Sequence, residues 1–152
     1  MERFNPLNDF VFKKIFGEKE NKDLLISLLN AILDPSDRDR LTDLEIIDDL
    51  ELTKERVDDK TGRLDIKAKT KCGIFINIEV QLQNQKDFEK RTLFYWGKMY
   101  VGSIKIGEDY RDLQKVITIN ILDFSYLDID EFHSKYHLWE DNRKDFLLTD
   151  LV

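Results

Sequence analysis

Arg63-Leu64-Asp65-Ile66-Lys67-Ala68-Lys69-Thr70, then Lys71-Cys72-Gly73, then Ile74-Phe75-Ile76-Asn77-Ile78-Glu79-Val80-Gln81, is the stretch on which the fold of this chain turns. Both runs alternate apolar and polar side chains, the period of a β-strand with one buried face. Leu64, Ile66 and Ala68 share one side, and Ile74, Ile76, Ile78 and Val80 share the matching one. A three-residue loop at 71–73 pairs Thr70 with Ile74, so that paired residue numbers sum to 144. A shift of one residue would set aliphatic side chains against polar ones, so the apolar pattern also selects an even sum. This register places Asp65 directly opposite Glu79. Cβ atoms of such a pair lie about 4.5–5.5 Å apart, and like charges there repel. A divalent cation is the simplest reason for two carboxylates to face each other, because hard cations such as Mg²⁺ take carboxylate oxygens. Gln81 lies on the same side. The competing reading is a solvated polar face on which Arg63, Lys67 and Lys69 neutralise the acids.

The chain has 152 residues, 41% hydrophobic and 36% charged. That size suits a single domain, residues 1–152, with a core of its own. No apolar run approaches the roughly 20 residues that span a bilayer, so no membrane association is expected. Met1-Glu2-Arg3-Phe4-Asn5-Pro6 lacks a signal-peptide layout. A single cysteine, Cys72, cannot form an intrachain disulfide, and a cytoplasmic protein is the expectation. The net charge of −7 speaks against a simple nucleic-acid coat. Residues 60–105, however, hold ten Lys or Arg against four acids, a net of +6 that leaves −13 for the remainder. Positive charge thus gathers around the acidic pair, where it would attract a phosphate backbone. An even mixture of salt bridges on a solvated surface is the alternative.

Elsewhere the elements read as follows. Asn8-Asp9 opens a short helix ended by Gly17, with Phe12, Ile15 and Phe16 on its buried side. Asp9 reads as a helix cap, with an acid at the rim of an active site as the rival. Residues 20–33 form a second helix with a core stripe of Leu24, Leu25, Leu28, Leu29 and Ile32, stopped by Asp34-Pro35. Residues 44–52 are predicted as a strand, and Asp58-Asp59-Lys60-Thr61-Gly62 as a turn. Asn84 is predicted to cap a long helix over 85–103, with Phe88, Arg91, Tyr95 and Met99 in line and Phe94 and Trp96 widening the apolar surface. Arg91 could hold a carboxylate of the hairpin or a phosphate, or snorkel at the edge of a packed aromatic helix. Val116–Leu122 reads as a central strand covered on both faces. Residues 136–139 read as a further short strand. His133 and His137 lack a third ligand, which leaves zinc unsupported. No glycine-rich phosphate loop, nucleophile elbow or partnered cysteine supports other catalytic chemistry.

The order helix, strand, strand with Asp, strand with Glu-x-Gln, helix resembles the PD-(D/E)XK nuclease core, an α/β fold of the α+β type with a mixed central sheet flanked by helices. More narrowly, Asn5-Pro6-Leu7-Asn8-Asp9-Phe10-Val11-Phe12-Lys13-Lys14-Ile15-Phe16-Gly17 resembles the amino-terminal motif of the PD-(D/E)XK nuclease family transposases, also called recombination-promoting nucleases. Leu64-Asp65-Ile66, Asn77-Ile78-Glu79-Val80-Gln81 and Lys90-Arg91-Thr92-Leu93-Phe94-Tyr95-Trp96 match its later motifs in order. Family members are generally longer, so the chain is expected to be the N-terminal part of such a protein.

The resemblance implies a magnesium-dependent (or manganese-dependent) DNA endonuclease, a hydrolase linked to recombination or mobile elements. Carried over by position, Asp65 and Glu79 would hold the ion with the backbone carbonyl of Val80, and Asp9 would be an additional acid. Gln81 stands where the motif usually has lysine, and a neutral amide can only orient water. Lys67, Lys69, Lys90 and Arg91 would grip phosphates without reading sequence. DNA is the expected partner, and a homodimer is compatible with the pattern. Two alternatives remain: a catalytically degenerate nuclease fold that binds DNA or protein, and an interaction module using the acidic segment 34–60.

Overall fold

The computed structural model describes residues 6–47, 66–84 and 86–148, apart from the side chains of Asp9 and Lys144. Helix α1 (Asp9–Phe16) is followed by α2 (Lys22–Leu33) and strand β1 (Leu44–Ile47). Strands β2 (Ile66–Thr70) and β3 (Phe75–Gln81) form the expected hairpin. Helix α3 (Phe88–Gly102) leads to β4 (Val116–Leu122). A separate two-stranded ribbon, β5 (Trp139–Glu140) and β6 (Arg143–Leu147), comes last.

The hairpin register is the one the alternation demands. Ile66 pairs with Ile78, Lys67 with Asn77, Ala68 with Ile76 and Lys69 with Phe75. The loop closes through Thr70: its N–H donates to Ile74 O at 2.9 Å, and its hydroxyl accepts from Ile74 N at 3.1 Å. Gly73 takes φ +88°, which an L side chain rarely adopts, and an added Cβ would also run into the Gln114 side chain. Cys72 is exposed in this turn.

The four-stranded sheet runs β1-β2-β3-β4, antiparallel except for the parallel β3–β4 pair that α3 connects. Helices on both sides of a mixed sheet give the α+β architecture expected. On one face Phe12 of α1 and Leu25 and Leu29 of α2 pack on Leu44, Ile66, Ala68, Ile76, Ile78 and Ile119. Leu25 and Leu29 are fully buried, each favouring the fold by about 1.5–3 kcal/mol. Asn30 locks α2 to the chain entering β1 by exchanging hydrogen bonds with Leu41 N and O, both 2.9 Å. On the opposite face Met99, Trp96 and Tyr100 of α3 meet Phe75 and Val116. The Trp96 indole N–H donates to Val116 O at 3.1 Å and ties α3 to the start of β4.

Several expectations need correction. The cap of α1 is Asn8, whose side chain accepts from Val11 N at 3.3 Å, and Asp9 is the first helical residue. Helix α2 is preceded by a 3₁₀ turn at Lys19–Asn21, and Leu24 is half exposed because the apolar stripe is wider than the surface it covers. It does stop at Asp34, which turns left-handed at φ +46°. Helix α3 begins at Phe88 rather than near residue 85, without a side-chain cap, and Phe94 faces outward at 57% exposure. Strand β4 lies at the end of the order among the described strands, although Ile117, Ile119 and Ile121 pack on one face and Val116 on the other. The interior places belong to β2 and β3. Beyond residue 47 the predicted strand at 44–52 and the turn at 58–62 lie outside the described residues.

Candidate active site

Strand alternation gives β3 two sides. Ile76, Ile78 and Val80 turn toward α1 and α2; Phe75, Asn77, Glu79 and Gln81 turn toward α3. The second side was expected to be either solvated or a metal site. The structure excludes solvation: Asn77, Glu79 and Gln81 are 1%, 2% and 6% exposed. Parallel pairing brings Thr118 beside Asn77 and Asn120 beside Glu79. From α3, Arg91 donates to Glu79 Oε1 at 2.8 Å, and the Thr92 hydroxyl reaches Asn120 Oδ1 at 3.4 Å.

A polar layer thus lies between sheet and helix, continuing the apolar cluster of Phe75, Met99 and Val116 toward the carboxyl ends of β3 and β4. Crevices at strand carboxyl ends are the usual ligand positions of sheets with parallel pairs. Among the described residues, both amide atoms of Asn77, both of Gln81 and the Thr118 hydroxyl have no hydrogen-bond partner. Buried polar groups without partners cost about 1–3 kcal/mol each, so such a layer is not what stability alone would select. Its donors are hard oxygens with no thiolate or imidazole, the set that suits Mg²⁺ or Mn²⁺ rather than zinc. Among the described residues no three His, Cys, Asp or Glu side chains gather as a metal site. His133 and His137 stand on the exposed segment before β5.

The residues singled out from sequence fall into three groups. Glu79 and Gln81 sit in the buried layer, with Val80 between them and its side chain on the opposite face. Lys67 and Lys69 belong to the same side through their pairing with Asn77 and Phe75, and Lys69 Nζ stands 4.8 Å from the Phe75 ring centre. Arg91, 17% exposed, takes the carboxylate rather than pointing outward. Lys90 is remote from the layer, 87% exposed and 3.8 Å from Asp87. Asp65 lies outside the described residues. Asp9 begins α1, which packs on the other side of β3.

Asn77, Thr118 and Asn120 were missed, although the sequence carried their signal. Asn77 precedes Glu79 by two, and Thr118 and Asn120 alternate with Ile117, Ile119 and Ile121. Reading Val116–Leu122 as a strand covered on both faces hid that alternation.

Outside the layer, Tyr126 donates to Glu89 in the first turn of α3 while its ring meets Phe88 edge-on at 4.8 Å. The bond to Glu89 pushes the tyrosine hydroxyl up to about 12 and holds the Glu89 carboxyl below its ordinary value.

The model of the PD-(D/E)XK nuclease family transposases matches residues 6–152. The chain belongs to that family. No curated protein and no solved structure matches it significantly. Membership implies a nuclease-type function linked to mobile elements, with DNA as substrate, and nucleases of this fold generally use divalent metal ions. No helix among the described residues is long and apolar enough to cross a membrane.

Proposed function

We propose that this PD-(D/E)XK family member is a divalent-metal-dependent DNA endonuclease acting in recombination or the movement of mobile elements. The observation that carries the reading is the burial of Glu79 inside a layer of oxygen donors, on a hairpin whose register sums to 144. Continued by one pair, that register would bring Asp65 to Glu79. Asp65 and Glu79, with the Val80 carbonyl, would hold Mg²⁺ or Mn²⁺; Asp9 remains a candidate additional acid. Bound there, the ion would polarise the scissile phosphate and lower the pKa of water. Gln81 would orient the attacking water through its amide, which both donates and accepts but takes up no proton. The water oxygen would bond to phosphorus as the P–O bond to the leaving strand breaks, yielding a phosphate and a hydroxyl end. Lys67 and Lys69, on the same side of β2, would neutralise the phosphate backbone, and exposed Lys90 would add to the attraction at longer range.

Asp65→Ala and Glu79→Ala should each abolish Mg²⁺-dependent nicking of supercoiled plasmid; cleavage retained in either variant overturns the assignment. The second reading, a degenerate nuclease fold that binds DNA or protein without cutting, has one observation in its favour: Arg91 already neutralises Glu79. Calorimetric titration with Mg²⁺ and Mn²⁺ separates the two, a null titration favouring the second.

A further inference from the structure

We infer that Arg91 is a resident counter-ion of Glu79 that is given up when a divalent cation binds, and that its released guanidinium then grips a phosphate of the DNA. This rests on the reading of Glu79 as a metal ligand. A carboxylate 2% exposed requires a cation or a dense set of donors. Arg91 meets that need at 2.8 Å, from the first turn of α3, on the side chain's own oxygen Oε1. A doubly charged ion on the same carboxylate would repel the guanidinium strongly, because little water screens charge between sheet and helix. The guanidinium stays protonated at any accessible pH, so once displaced it is a cation open to another anion. Its 17% exposure shows that it sits at the margin of the layer rather than sealed within it. A phosphodiester offers two oxygens to its planar fork. The contact that favoured a degenerate fold becomes, on this account, the resting state of an active one. The consequence is linkage: beyond any direct contact of ion and phosphate, metal and DNA each raise the other's affinity through this side chain.

The test is calorimetric titration of Mg²⁺ alone into the full chain and its Arg91→Met and Arg91→Lys variants, with NMR of the Arg91 side-chain Nε–H in the unaltered protein. The expected result is Mg²⁺ binding about tenfold tighter in Arg91→Met and less so in Arg91→Lys, together with a shift of the Nε–H resonance as Mg²⁺ saturates. A duplex with a non-hydrolysable backbone should tighten Mg²⁺ binding to the unaltered chain more than to Arg91→Met; equal tightening in both overturns the inference. Equal Mg²⁺ affinity in all three proteins with an unmoved resonance overturns the inference and leaves Glu79 a ligand. Absence of binding even where Arg91 no longer competes overturns both. Should Arg91→Met fail to fold, Arg91→Lys and the resonance decide.

Discussion

The two faces of β3 are built to different ends. Toward α1 and α2 the strand presents Ile76, Ile78 and Val80 to an apolar cluster whose innermost members are fully buried. Toward α3 it presents Asn77, Glu79 and Gln81, equally removed from water. Burial is the same and chemistry is opposite. On the first face burial favours folding; on the second it opposes folding unless each group finds a partner, and several described atoms do not. A strand with one side optimised for packing and the other not is the reason the proposed site is placed on the latter.

The comparison can be broken most severely from the apolar side. Ile76→Ala empties a fully buried position and should lower unfolding free energy by about 2–5 kcal/mol in urea denaturation, with the cavity left inside the α1–α2 packing. A smaller and opposite effect is expected across the strand. Asn77→Val removes two amide atoms without described partners and adds a β-branched residue, which should stabilise by about 1–3 kcal/mol while reducing plasmid nicking. Destabilisation by Asn77→Val would show that the polar layer is structural, and the contrast between faces would fail.

The mildest test sharpens the contrast with a half-buried cluster of three charges. Asp43 receives Lys22 Nζ at 2.6 Å and Lys71 Nζ at 2.9 Å, and the first of these contacts, then the second, holds its carboxyl well below the ordinary range. A carboxyl depressed on folding stabilises the native state above its unfolded value, near 4, and loses that contribution as pH falls through the folded value. The melting-temperature gap between the unaltered chain and Asp43→Asn should therefore be open at pH 7 and narrow progressively below about pH 4. A gap independent of pH would remove the assignment.

The hairpin was legible because two independent constraints, loop length and the period of the apolar residues, gave the same register. The burial of its polar side was not legible, since it depends on α3 lying across it, and strand alternation is silent on what covers a face. The start of α3 was misplaced because Asn84 is a good capping residue, whereas the helix begins at Phe88, where the ring can pack against Tyr126. Strand β6 went unseen because Arg-Lys-Asp-Phe-Leu lacks the alternation of a half-buried strand. Spacing singled out Glu79 and Gln81, which the fold buries side by side; that Arg91 would take the carboxylate in preference to an outward position depends on how α3 lies over the sheet.

Besides the contacts of Arg91 and Thr92, helix α3 is fastened at two further points, by Tyr126 to Glu89 in its first turn and by the Trp96 indole to the beginning of β4. Those two rivets bracket Arg91 and Thr92, the residues that reach down to the sheet. A molecule arriving at the polar layer therefore meets a helix pinned on either side of the two side chains that point into that layer.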